Sequence, residues 1–434
     1  MPGATPPCLA GGNQMFDEHG VGPRDAAMGN AFTALADDYS AAFYNPAGFS
    51  YIRGNHFDIG YKGVYPDLYM NLTPDPGRDL SGGFPADFLL VGLSTDFDFS
   101  DAINKNVSDR FSAGLALAIS AYFKSFTLFA DPNTPYFFRY RDRPVSILSL
   151  YAGFAIKVFD WASFGARINV APSDTHSDVI AHSDIEMPVI RWETRQGMAT
   201  ASYSKVEPVL GAMFLIPAHG RSDGVRVGMA WHDEVTTLDG SGEFTNVVRI
   251  TLSETGEQIE VPKTTVDMHQ LTGFSPMSAT LGFAWKPTDA VTVTADGIWR
   301  NWSAWLTGAE NKPSPPFLDT YHARLGFQHA FDIDWEWVFG ITARAGYYYE
   351  PSPTQSMNGY MNILDPDKHV AATGAGFLFN DPMGIFLLPV RFDLVYQLHY
   401  LMDSHLDNDR EDVFGPIDYG GQIHSFAATF GVEY

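Results

Sequence analysis

Six side chains stand out for what their charges and rings could do together. Tyr122 with Lys124, Arg300 with Trp302 and Arg344 with Tyr348 are each separated by an even number of positions, so each pair shares one face of an extended strand. Such cations suit a carboxylate and such rings suit an acyl chain, the mixture of a mostly apolar pocket with a few placed polar groups. The competing reading is a structural ion-pair ladder in which Arg324 neutralises Asp296; the spacing supports both. Other chemistry is thinly represented. No catalytic signature stands in usable context, and His399 with Ser404 is the one pair that could serve a nucleophile. The run from Asp403 to Asp412 has calcium-like spacing but lacks the glycine and terminal glutamate of an EF-hand loop, so a solvated acidic loop is expected. The repeated His176-Ser-Asp178 and His182-Ser-Asp184 likewise suit a polar loop, and no metal, cofactor or catalytic residue is expected.

The elements that would position those six residues are strands. In the final stretch, QIHSFAATFGVEY, Phe426, Ala428, Phe430, Val432 and Tyr434 fall on one face, with Ser425, Ala427, Thr429, Gly431 and Glu433 on the other. One continuous apolar face ending in an aromatic, against a small or polar face, is the dyad repeat of a strand between lipid and a polar lumen. Similar alternation recurs from residue 56 onward. It predicts fourteen strands near 56–70, 84–94, 110–124, 145–158, 163–171, 203–216, 224–236, 277–286, 290–303, 320–330, 336–349, 369–380, 388–402 and 422–434. In the thirteenth, Val390, Phe392, Leu394, Tyr396, Leu398 and Tyr400 oppose Arg391, Asp393, Gln397 and His399, and charges on the second face require a polar lumen or mutual pairing.

Composition agrees with one large architecture. Among 434 residues, 45% are apolar and 14% aromatic, yet mean hydropathy is only -0.10 and no run approaches the length of a membrane helix. A barrel needs none, because its apolar residues occupy alternate positions. The charge of 27 − 51 = −24 supplies no basic footprint, so no nucleic-acid partner is expected. The single cysteine, Cys8, excludes an intrachain disulfide. The first dozen residues lack the basic and apolar regions of a secretory signal, which for an exported protein implies a trimmed or missing start.

Connection lengths alternate as well. Short links at 159–162, 217–223, 287–289, 331–335 and 381–384 contrast with long ones near 172–202, 237–276, 304–319, 350–368 and 403–421, the outer-membrane arrangement with both termini on the periplasmic side. Fourteen strands enclose more space than wall side chains fill, since filling stops near about eight strands and about sixteen leave an open channel. Residues 1–49 do not alternate: Gly22-Pro23 starts a helix predicted over Asp25 to Ala36, and Asn45-Pro46 with Gly48 makes a turn. This segment is too short for a core of its own and is expected to plug the barrel formed by residues 50–434.

The run GPRDAAMGNAFTALADDYSAAFYNPAG resembles the N-terminal hatch of the FadL/TodX family of outer-membrane long-chain fatty acid and hydrocarbon transporters. Trp302-Ser303 and the run from Arg344 through Ser352-Pro353 to His369 are similar to later blocks of that family. The resemblance implies an all-β, fourteen-stranded antiparallel transmembrane barrel in the bacterial outer membrane, plugged by a small, partly helical hatch. It implies a gate at Phe43, Asn45, Pro46, Ala47 and Gly48. It also implies passive uptake of apolar molecules with a lateral exit at a kinked third strand. Tyr122, Lys124, Arg300, Trp302, Arg344 and Tyr348 would then be ligand-binding, in the upper lumen. The expected surroundings are outer-membrane lipid and lipopolysaccharide around a monomer. At the third strand the sequence departs from the family, reading Ile119 to Lys124 where a Pro-Phe-Gly-like break is usual. A lipid-modifying enzyme and a general porin are the alternatives.

Overall fold

The computed structural model describes residues 12–72, 80–82, 85–97, 110–120, 137–138, 148–170, 174–186, 190–202, 207–218, 221–236, 240–252, 258–270, 274–306, 312, 315–333, 335, 337–354, 363–379, 390–406 and 416–433. Tyr122, Lys124, Cys8 and residues 407–412 of the acidic loop lie outside these, as does the third-strand stretch from residue 121 on.

Fourteen antiparallel strands form a closed ring. They are β1 (His56–Leu72), β2 (Ala86–Phe97), β3 (Phe111–Ser120), β4 (Leu148–Phe159), β5 (Ala162–Val170), β6 (Glu207–Ala218) and β7 (Arg221–His232), followed by β8 (Ser278–Trp285), β9 (Val291–Arg300), β10 (Thr320–Asp332), β11 (Val338–Glu350), β12 (Lys368–Phe379), β13 (Val390–Leu406) and β14 (Ile417–Glu433). Each pairs with its neighbours in sequence, and β1 closes the ring by pairing with both β14 and β2. Closure leaves no unpaired edge, the condition for backbone in hydrocarbon. The predicted faces hold: on β14, Phe426 and Phe430 are each 41% exposed while Ser425 and Thr429 are buried. Exposed Phe159, Trp161, Trp285, Phe331, Trp335 and Trp337 cluster at the short-turn end, where an aromatic girdle sits at the membrane interface. An apolar depression of about 870 Å³ lies on the outer face over β5 to β10, rimmed by Trp231, Trp299 and Tyr321 and floored in part by Gly297.

The face assignment carries a stability prediction. Phe426 lies mid-strand and stacks on Tyr65 at 5.1 Å between ring centroids, whereas Phe430 is nearer the periplasmic end. Phe426→Arg is expected to cost about 2–4 kcal/mol and Phe430→Arg less, because the penalty of a lipid-facing arginine falls with distance from the midplane. Urea unfolding in bilayers, followed by heat-modifiable mobility, measures both. A costlier Phe430→Arg would place the midplane wrongly.

Two long connections contain strands of their own. Hairpins 174–186/190–202 and 240–252/258–270 pair through 190–202 and 240–252 into one four-stranded sheet.

The N-terminal segment fills the lumen as α1 (Gly12–His19), α2 (Pro23–Ala27), α3 (Ala41–Tyr44) and a 3-10 turn (Pro46–Tyr51). The helix predicted over Asp25 to Ala36 stops at Ala27. Gly29 and Asn30 follow with φ of 62° and 57°, a left-handed pair that ends a right-handed helix. Phe16, Phe32, Phe43 and Phe49 are 0–3% exposed, so the segment brings the apolar core that the ring lacks.

Candidate functional site

The site is the junction of this hatch with the wall, and its first part is the end of α1. Backbone carbonyls at a helix C-terminus lack partners and carry negative partial charge. Here the wall supplies cations and donors. Lys62 of β1 donates to the His19 and Gly20 carbonyls, Arg324 of β10 donates to the Asp17 carbonyl at 3.0 Å, and the Tyr348 hydroxyl of β11 donates to the Glu18 carbonyl. Within the hatch, Asn30 Nδ2 donates to that same Glu18 carbonyl at 2.7 Å. Side chains add ion pairs: Arg300 of β9 and Arg324 both reach the Asp17 carboxylate, while Lys368 of β12 lies 3.2 Å from Glu18 and 3.8 Å from Glu350. His19 Nδ1 faces His399 Nε2 of β13 at 3.0 Å. Burial, with His399 and the two lysines nearby, holds the His19 imidazole well below its usual value.

The second part is the Asn45-Pro46 turn. Asn45 is extended, with φ −160° and ψ 102°, as the residue before proline prefers. Its side chain accepts from the Ala47 N–H at 3.1 Å and donates to the Thr33 and Ala212 carbonyls at 2.9 and 3.1 Å, tying the turn to the hatch and to β6. Ser163 of β5 donates to the Ala47 carbonyl at 3.1 Å. Close approach depends on glycine in the wall: a Cβ on Gly165 would lie 2.4 Å from Ala47 N, and one on Gly211 2.1 Å from Asn45 Oδ1. Phe43 completes the turn, edge-on to Tyr151 at 5.4 Å and beneath the Arg167 guanidinium at 5.3 Å. Of the five expected gate residues, Phe43, Asn45, Pro46 and Ala47 meet the wall at β5, β6 and their neighbours, while Gly48 packs within the hatch, where a Cβ would lie 2.0 Å from the Ala36 carbonyl oxygen.

Between the two parts, Asp25 ties α2 to α3 by accepting from the Val21 and Gly22 N–H groups at 2.7 and 2.8 Å and from the Tyr44 hydroxyl at 2.8 Å. Burial and the nearby Asp38 push its carboxyl up to about 6, against the pull of Lys62 and of the Tyr44 hydrogen bond.

Of the six expected ligand residues, Arg300 and Trp302 meet. They line a cavity of only about 50 Å³ above the hatch with Asp17, Phe43, Tyr44 and Arg324. Tyr348 borders that region, its ring 5.2 Å from the Arg324 guanidinium. Arg344 does not join them. It faces the lumen nearer the periplasmic end, pairs with Asp393 at 2.6 Å and lines a different cavity with Arg24 and Arg391. The reason is height: two-residue periodicity sets the face of a strand but not the level of a residue against the plug. The expected Arg324–Asp296 pair is also redirected. The two are opposite in register, yet Arg324 turns to Asp17, and Asp296 accepts from the Thr33 N–H at 3.0 Å. His399 and Ser404 do not meet either, since His399 touches His19 and the Ser404 hydroxyl donates to the Met402 carbonyl at 3.1 Å. Sequence reasoning missed Asp17, Glu18 and Lys62, which take part in the polar hatch-to-wall contacts at α1; a lysine on the small-residue face of β1 was the available signal.

Comparison with known proteins agrees with this architecture. The sequence model of a family described as outer membrane protein transport protein (OMPP1/FadL/TodX) matches residues 4–385. Alkane uptake protein A of Marinobacter nauticus is 22% identical over 450 residues, covering 99% of this chain and 93% of that protein. Among solved structures, a Pseudomonas aeruginosa FadL homologue superposes with a TM-score of 0.57 at 18% identity, covering 95% of this chain and 97% of its own. The toluene transporter TodX of P. putida gives 0.55 at 12% identity, with 96% and 99% covered.

Proposed function

We propose that this chain, which belongs to the OMPP1/FadL/TodX family of outer membrane transport proteins, carries apolar small molecules passively across the outer membrane through movement of its hatch. The observation that carries the reading is the contrast between a wide closed ring and the cavity of only about 50 Å³ that the described residues leave beside Arg300 and Trp302, well below the ~300–1,000 Å³ of a ligand pocket. A ligand the size of a fatty acid or an alkane passes only if the hatch shifts, and a filled lumen of this kind disfavours the general porin. Residues 1–49 are the hatch in this reading, residues 50–434 the barrel, and the protein works as a monomer among outer-membrane lipid and lipopolysaccharide.

Arg300 and Trp302 receive the ligand above the hatch. A ligand carboxylate would compete with Asp17 for Arg300 and Arg324, and the loss of Asp17's partners would loosen α1. An alkane has no such group and would depend on the apolar contacts alone. Phe43, Asn45, Pro46, Ala47 and Gly48 would then yield as the gate. In a test with the purified protein, Arg300→Ala is expected to weaken binding of a long-chain acid about tenfold or more, the ~1.5–3 kcal/mol of a hydrogen bond to a charged group, while the matching alkane changes little. Pro46→Gly is expected to alter uptake of a labelled fatty acid several-fold without lowering the heat-modifiable folded fraction. Equal losses for acid and alkane would reduce Arg300 to a structural latch.

A further inference from the structure

A second lumenal cavity, of about 250 Å³, lies beneath the hatch on the periplasmic side. Three guanidiniums enter its lining from three separate elements: Arg24 from α2, Arg344 from β11 and Arg391 from β13. Among the described residues, Asp393 is the one carboxylate in the lining. The other carboxylates that neutralise these arginines stand outside it, Asp37 and Asp38 at 2.6 and 3.3 Å from Arg24 and Asp58 at 2.7 Å from Arg391.

The arginines are only partly committed by these contacts. Arg344 uses Nη1 on Asp393 and Nε on Gln328, Arg24 uses Nη1 on Asp37 and Asp38, and Arg391 uses Nη2 on Asp58. Arg391 also pairs through Nε with Asp393 Oδ2 at 3.0 Å; among the described residues, Nη2 of Arg24, Nη2 of Arg344 and Nη1 of Arg391 remain without a partner. Gly376 clears the space, since a Cβ there would stand 2.9 Å from both Nη atoms of Arg344 and 2.5 Å from Asp393 Oδ1. Solvent reaches the cluster, as the Arg391 and Arg24 side chains are 27% and 16% exposed. Leu378 adds an apolar wall.

We propose that this cavity binds a small oxyanion, a carboxylate or a phosphate, entering from the periplasmic side. Guanidinium forks match such groups in pairs, and the Nη donors that the three arginines leave free are the groups that would hold it. The site is separate from the ligand entry above the hatch, and its test is independent of transport.

The full-length protein in detergent is titrated with acetate, inorganic phosphate, decanoate and, as the uncharged control, decanol. Binding is read by calorimetry and by protection of Arg24 and Arg391 from phenylglyoxal, mapped by mass spectrometry. The expected result is protection by the anions and none by decanol. Decanoate binding at least tenfold tighter than acetate or phosphate would identify an amphiphile's head group seated beside Leu378, and phosphate binding tightest would identify the free ion. Arg391→Gln is expected to weaken binding at least tenfold. Leu378→Glu, which leaves every arginine and its present partner in place, is expected to abolish it by supplying a carboxylate from within. Failure of all three anions to protect the wild-type arginines, or undiminished binding by Leu378→Glu, would overturn the proposal; the protection measurement needs no variant to fold.

Discussion

Deletion of residues 13–49 is expected to leave a barrel that still folds in detergent and that conducts ions in planar bilayers, where the intact protein conducts little. Folding survives because the wall is complete without the hatch: every strand of the ring pairs on both sides, and the lipid-facing side chains make no use of the lumen. Conduction appears because fourteen strands lie between the ~8 whose side chains fill a barrel and the ~16 that leave an aqueous channel. The vacated lumen would also wet readily. Lys62, Asp296, Arg324, Glu350, Lys368 and Asp393 are each at most 4% exposed in the presence of the hatch, and its removal returns them to water. Unchanged low conductance in the deleted protein would show that something other than the hatch closes the pore.

What the sequence shows of this arrangement depends on which face meets lipid. Where one side of a strand lies in hydrocarbon, as in β14 or β13, apolar alternation is enforced and all fourteen strands can be placed to within a few residues. The strands at 174–186, 190–202, 240–252 and 258–270 pair with one another and not with the ring; they fall inside the long connections, and the sequence alone reads them as loops. The hatch is harder still, because its contacts are single positions without period. Asp17 and Glu18 are ordinary acidic residues until Arg300, Arg324 and Lys368 are seen around them. The cation set splits for a related reason. Arg300 and Arg344 both point inward, as alternation requires, but they stand at different levels of the lumen and line different cavities.

A subtler signal is legible only once register is known. Lumen-facing glycines pair across neighbouring strands: Gly165 with Gly211, Gly228 with Gly282, and Gly326 with Gly346. Each pair is where hatch backbone meets wall backbone. In sequence these glycines belong to an unremarked small-residue face. In the structure they form the seat of the plug.

Gly346→Val is therefore expected to unseat the hatch, whereas Gly297→Val, one of the same substitutions on the opposite face, is not. A Cβ on Gly346 would lie 2.0 Å from the Gly29 backbone nitrogen and 2.4 Å from the Met28 carbonyl carbon, so the clash is of Cβ itself with the hatch main chain and no rotamer relieves it. β11 cannot retreat, being paired to β10 and β12 over most of its length. Gly29 is held in turn by its own φ of 62°, a conformation that glycine tolerates and most residues do not. The strain, about 1–3 kcal/mol or more for an overpacked contact, is released most cheaply by the hatch moving away from the wall. Gly297 has no atom within 4 Å of its would-be Cβ, and valine suits a half-buried strand better than glycine. Single-channel recordings should show frequent opening in Gly346→Val and none in Gly297→Val, at equal folded fractions. Two equally silent variants would mean that the hatch absorbs the added side chain in place and that the glycine pairs do not seat it.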